Sequence, residues 1–312
     1  MLTRRHIRAR VMQALYACRQ SEPQDTDTFR KNFLTGIERI NDLYALQASL
    51  LDAIVRKAES RLEARRAKHF ASPQERTPNR KFAENPFSAL LTENPAYARA
   101  CQKYASLWAD HSEYVENLLG AIEASPQYER YMNSADTSFA GHKAFLVFVF
   151  REIIAPDDAL SDFYEDCDMD WSADLPVANT MLLKTLEDVK ENHPDFPIPA
   201  LFKDTSDRMF AVELLDKSLS EGPSYRELIV RKAENWDPER IALVDMILME
   251  MAVTEFVSFP SIPTKVTLNE YIELAKDYSS PKSPVFVNGI LDKVLDELNA
   301  EGKIHKSGRG LM

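Results

Sequence analysis

Apolar residues recur along this chain at intervals of three and four, and strictly alternating runs are few, so the pattern predicts helices nearly throughout. The first is visible in residues 3 to 20, where Ile7, Val11, Ala14, Leu15 and Cys18 share one face. That face is expected to pack into a core while Arg5, His6 and Arg8 point elsewhere and present a basic helix end to solvent. Residues 26 to 69 read as one long helix or two broken ones, with Phe33, Ile37, Ile40, Leu43, Leu46, Leu50, Ile54 and Val55 as the stripe. Two or three more follow over 94 to 155, the last carrying the apolar run AFLVFVF and ending at Pro156.

The segment HPDFPIPALF (193 to 202) concentrates prolines and marks the best domain boundary. The expected organisation is an N-terminal helical region over 1–203, a C-terminal helical bundle over 204–305, and a flexible tail over 306–312. Roughly five helices are expected between Asp204 and Ala300, with starts punctuated by Ser224/Glu227 and Thr267/Glu270 as capping boxes and by Asp237-Pro238 and Ser283-Pro284 as caps followed by proline. Leu268, Ile272 and Ala275 form one apolar face of the last helix pair. Phe286, Val287, Ile290, Leu291, Val294 and Leu295 form the other. Gly289 interrupts this second helix at a cost of about 1 kcal/mol relative to alanine, which close helix packing or the approach of a ligand would explain.

Composition narrows the function classes. With 312 residues, 45% of them hydrophobic, the chain can bury a sizeable core, and no run reaches the roughly 18 apolar residues of a membrane span. Three separated cysteines, Cys18, Cys101 and Cys167, suggest neither disulfides nor a zinc site, and a reducing cytosol fits them. The only GxG lies at Gly308 to Gly310, and no HExxH or GxSxG occurs, so no catalytic group, metal or cofactor is expected. The acidic stretch from Asp157 to Asp174 reads as a solvated loop.

The formal net charge is −11, yet the chain begins with Arg4, Arg5, Arg8 and Arg10 around His6 and has no acid before Glu22. Such an opening has the composition of an organellar transit peptide. It equally suits local contact with phosphate on a protein that repels nucleic acid elsewhere. A second basic run, Arg56 to Lys81, holds nine Lys or Arg against three Glu, and reads as a solvated helix face or a further phosphate-contacting patch, with a loop around Pro73 and Pro78.

Two blocks resemble a known family. RRHIRARVMQALYA (4 to 17) resembles the arginine-rich start of the NusB family of bacterial transcription antitermination factors. WDPERIALVDMILMEMAVTEF, IPTKVTLNEYIELAK and FVNGILDKVL, within 236 to 295, are similar to its later helices. The resemblance implies an all-α fold of helical bundles, no catalysis, and binding of single-stranded boxA RNA together with the ribosomal protein NusE in a transcription elongation complex on ribosomal RNA operons. By position it implies RNA contact for Arg4, Arg5 and Arg8, with His6 standing where arginine is common and Arg10 as a compensating charge. It places Lys265, Phe286 and Asn288 near the RNA path, with Phe286 as stacker or core residue, and Asp245 on the helix of the protein partner. Glu250 departs from the family's usual arginine there; typical members are about half this length, so residues 21 to 203 are expected to hold the family's remaining N-terminal helices expanded by a helical insertion. Two other readings stay open: a protein-interaction scaffold on this fold, and an accessory domain related to ribosomal RNA methyltransferases.

Overall fold

The structure, a computed structural model, describes residues 1–21, 25–70, 72–193, 196–233 and 240–311. It is all-α; among these residues the one strand-like pairing is an isolated bridge between Lys190 and His193. Contacts divide the chain into two compact units. One comprises Met1 with Glu38–Leu201, the other Leu2–Ile37 with Phe202–Met312. The first two helices therefore pack with the last five, although some 160 residues separate them in sequence.

In the first unit, α3 (Ile40–Arg66) is the central rod, against which α6 (Pro95–Asp110), α7 (Ser112–Ala124) and α11 (Trp171–Asp188) pack. Its buried polar groups are paired: Tyr44 with the Thr185 hydroxyl, Gln47 with the Asn179 amide oxygen at 2.7 Å. Between these lie α4 (Pro73–Arg76), α5 (Pro86–Glu93), α8 (Pro126–Asn133), α9 (Phe139–Val149, continued by a π turn over Phe150–Ile154) and α10 (Asp158–Cys167). Four of these unit's helices start the same way. Ser72, Asn85, Asn94 and Ser125 each cap a helix that opens on proline, supplying an acceptor where the backbone has free N–H groups.

Two local expectations change here. The segment around Pro73 is a helical turn held by a Ser72/Glu75 capping box, and the cations of the basic run are taken up by acids. Lys57 pairs with Glu116, Arg61 with Glu116 and Glu123, and Arg80 with Glu59, Glu63 and Glu84, which favours the solvated face over a phosphate patch. The acidic stretch is mostly helix rather than loop: Asp168 pairs with Arg39, and Asp174 is buried within α11.

The second unit is built on α14 (Leu243–Ser258), a helix apolar nearly all round and buried from Asp245 to Phe256. Around it pack α1 (Arg4–Gln20), α12 (Thr205–Ser220), α13 (Gly222–Lys232), α15 (Thr264–Tyr278) and α16 (Ser283–Ala300). The unit also holds most of α2 (Thr26–Glu38), whose Arg30 donates to Asp216 of α12. Three expected helix starts differ. Ser224 lies inside α13 and donates to Glu221, Thr267 lies inside α15, and Ser283 is the first residue of α16 rather than its cap. The Asp237-Pro238 start lies outside the described residues.

Candidate nucleic-acid interface

The central helix carries three carboxylates, Asp245, Glu250 and Glu255, five residues apart. At about 100° per residue each is turned roughly 140° from the last, so they meet three different surroundings. All three are buried, and ionised groups there need partners. Glu255 accepts both bonds of the Arg8 guanidinium, at 2.8 and 2.7 Å, and further bonds from Thr267 and Tyr271. Glu250 pairs with Arg19 of α1. Asp245 accepts from the Ser283 hydroxyl at 2.7 Å. Thr267 and Ser283 thus spend on buried carboxylates the hydroxyls that the sequence offered as helix caps.

This corrects the expectation for Arg8. It is 2% exposed, bonded to Glu255 on one side and 5.1 Å from the Phe210 ring on another, so it does not face solvent. Burial opposes its charge, but Glu255 outweighs that and raises its pKa further, leaving it cationic at every accessible pH. Arg10 is also buried. It donates to Gln13 and lies so close to Gly36 that a Cβ there would come within 3.0 Å of its guanidinium, so it does not compensate for His6 at a surface. Glu250 is likewise an internal residue, whose pKa burial raises against the pull of Arg19; it presents no partner surface.

The residues that remain outward gather at one place. Arg4, Arg5, His6 and Lys265 line a concave space of about 880 Å³ with Thr3, Ile262, Pro263, Val266 and Glu270. α1 is oriented there by its cap, Thr3, whose hydroxyl accepts from the His6 backbone N–H, and by the Arg8 anchor one turn on. Arg4 is bonded to Asp207 and stacked 4.9 Å from Phe210; Arg5 is bonded twice to Glu270 at 2.9 Å. Both arginine side chains remain about two-fifths exposed. The acids hold them in place without hiding them. His6 is half-buried, and burial, followed by the charge of the N-terminus and then that of Arg5, lowers its pKa from 6.5, so it is neutral at pH 7. Lys265 is exposed and makes no ion pair among the described residues.

Phe286 and Asp245 line a second space, of about 710 Å³, between the starts of α14 and α16. Its rim carries Arg240, Lys282 and Lys293, all exposed. Asn288 is partly exposed on α16 and donates to Asp292, lining neither space. The two spaces lie toward opposite ends of α15, a helix of 15 residues and so about 22 Å long. The sequence reading found Arg4, Arg5, His6 and Lys265, but missed Glu270, Asp207 and Glu255, which position them. Its only signal for Glu270 was a capping pattern that the fold uses otherwise.

Among the described residues no group of three or more His, Cys, Asp or Glu could hold a metal, and no helix is long and apolar enough to cross a membrane. No solved structure matches the chain significantly. The profile of the NusB family matches residues 179–296, which contain the second block but not the arginine-rich start. The transcription antitermination protein NusB of Salinibacter ruber is 43% identical over 112 residues, 36% of this chain and 70% of that protein. Those of Chloroherpeton thalassium and Koribacter versatilis are 48% and 42% identical over 84 and 96 residues, which span 40% and 66% of their own lengths and 27% and 31% of this chain. With that match over α12 to α16 of the second unit, and most of the Salinibacter protein covered at 43% identity, the chain belongs to the NusB family.

Proposed function

We propose that this chain is a transcription antitermination adaptor that binds single-stranded, boxA-like RNA of ribosomal RNA operons with NusE and acts on the elongation complex. The observation that carries it is the 880 Å³ concavity lined by Arg4, Arg5, His6 and Lys265 on a chain of net charge −11. Phosphate is attracted at one place and repelled elsewhere, which favours a positioned strand over nonspecific coating. Arg8 acts from behind, fixing the turn of α1 that presents Arg4 and Arg5. Phe286 and Asn288 extend the path along α16. Binding exchanges a phosphate for part of the Glu270 and Asp207 contacts, so affinity is moderate for RNA alone and leaves room for NusE to raise it.

A fluorescence-anisotropy titration of a boxA-like RNA and a scrambled one, with and without NusE, at two salt concentrations tests this. Preference for the boxA-like strand, strengthened by NusE, is the expected result. No preference in either condition would leave the scaffold reading, which is supported by a first unit that lies mostly outside the family match and has its own core.

A further inference from the structure

The chain does not trail away at the end of α16. Gly302 takes a φ of +65°, its N–H donates to the Asn299 carbonyl, and the Lys303 N–H donates to the Leu298 carbonyl, which together close a reversing turn on the helix. The reversed segment reaches the C-terminus of α14. There Lys306 Nζ donates to the carbonyls of Phe259 at 2.9 Å and Glu255 at 3.2 Å, where the helix dipole favours a cation, and the Ser307 N–H donates to the Pro260 carbonyl at 2.9 Å. Residues 303 to 307 thus form a strap, and they lie past residue 296, where the family match ends. What the strap holds is the connection between α14 and α15. Ser261, Ile262 and Pro263 of that connection line the concavity of Arg4 and Arg5, and Lys265 follows in the first turn of α15. Within the connection the Ile262 N–H donates to the Phe259 carbonyl, but Pro260 and Pro263 have no N–H to give, Pro260 and Ser261 are exposed, and Pro263 caps α15 without a side-chain bond.

We propose that the strap is a positioning element of the RNA site, in which Lys306 and Ser307 fix the connection over 259–263 so that Lys265 meets a phosphate of the strand already in place. The proposal rests on the RNA reading above. Lys306 is a positioning residue rather than a contact, because its ammonium is taken up by two carbonyls. Ordering a cation before the strand arrives removes an entropic cost from binding. The gain can be no larger than the value of the Lys265 contact itself, which bounds the effect and ties it to one residue.

In the full chain, Lys306→Met and Ser307→Pro are compared with Lys265→Ala by anisotropy of a boxA-like RNA over a range of salt concentrations, with helical content followed by circular dichroism. Ser307→Pro removes the N–H bonded to Pro260 and alters no charge. Each strap variant is expected to weaken binding by about threefold to tenfold, the range of one hydrogen bond to a charged group. Each should also lower the salt slope by up to about 0.7, the share of one phosphate contact on a single strand. In a Lys265→Ala background neither should cost more than about twofold, because the contact they support is already gone. On the unaltered chain, bound RNA is expected to slow amide hydrogen exchange in 259–266 and 303–307 together, a readout that stands even where a variant fails to fold. If the unaltered chain binds no RNA, the RNA reading falls and the strap's role with it. If it binds, but the strap variants leave binding unchanged or weaken it equally with and without Lys265, or exchange slows in 259–266 alone, the RNA reading stands and the positioning role is overturned.

Discussion

Arg8 and Arg5 are three residues apart on one helix, and the fold gives them different physics. Arg8 faces Glu255 where neither side chain is more than 2% exposed; Arg5 faces Glu270 with two-fifths of its side chain in water. Removing one partner of a buried pair leaves the other charge unpaired, so Arg8→Met is expected to cost about 3 to 5 kcal/mol in denaturant unfolding. Adding Glu255→Leu recovers part of that loss, a non-additivity that identifies the pair. His6 sets a second expectation. Its pKa in the folded chain lies below 6.5, so the unfolded chain binds protons more readily. Its share of stability is present above pH 6.5 and is lost as the pH falls through the lowered folded value. An RNA phosphate beside the ring reverses that bias, so affinity for RNA is expected to rise between pH 7.5 and 5.5 in wild type. The rise should be absent in His6→Gln, as anisotropy at the two pH values will show.

At the scale of elements, the proposed RNA site is made by helix ends rather than by one helix: the start of α1 and the start of α15 converge, and α12 contributes Asp207 and Phe210 behind them. Each phosphate contact on a single strand contributes about 0.7 to the salt slope, so replacing Arg4, Arg5 and Lys265 together by alanine should reduce it by about 2. Arg8→Met, by contrast, should weaken binding only as far as it unfolds the protein, with the slope retained. The helices themselves were legible from spacing, but their starts were not always. Ser-x-x-Glu at 72 to 75 is a true capping box, while the same pattern at 224 to 227 and Thr-x-x-Glu at 267 to 270 are not. The sequence of a cap is local; whether its hydroxyl is spent on the helix's own N–H or on a buried carboxylate depends on what packs opposite. The α15 stripe shifts for the same reason. Thr267, Tyr271, Leu274 and Ala275 are buried, with Thr267 and Tyr271 bonded to Glu255, whereas Leu268 and Ile272 are only partly so.

For the whole molecule, the second unit is discontinuous, closing at Ile37 and resuming at Phe202. A chain lacking residues 38 to 201, rejoined through a flexible Gly/Ser linker, is expected to keep helical content and preference for the boxA-like RNA, measured by circular dichroism and anisotropy. Loss of preference with the helices intact would assign part of the recognition to the first unit. At the other end, residues 306–312 read as a flexible tail, but Lys306 donates to the carbonyls of Glu255 and Phe259, closing the C-terminus of α14 where the helix dipole favours a cation.

By itself the sequence determined the helical class, most helix positions, the basic opening and the family, because these depend on short-range periodicity, composition and motif spacing. Only the tertiary structure decided which arginines face solvent. A residue's charge is fixed by its chemistry, but its exposure depends on the acid that the fold brings from some 250 residues away, and Glu255 reaches Arg8 only when α14 and α1 pack.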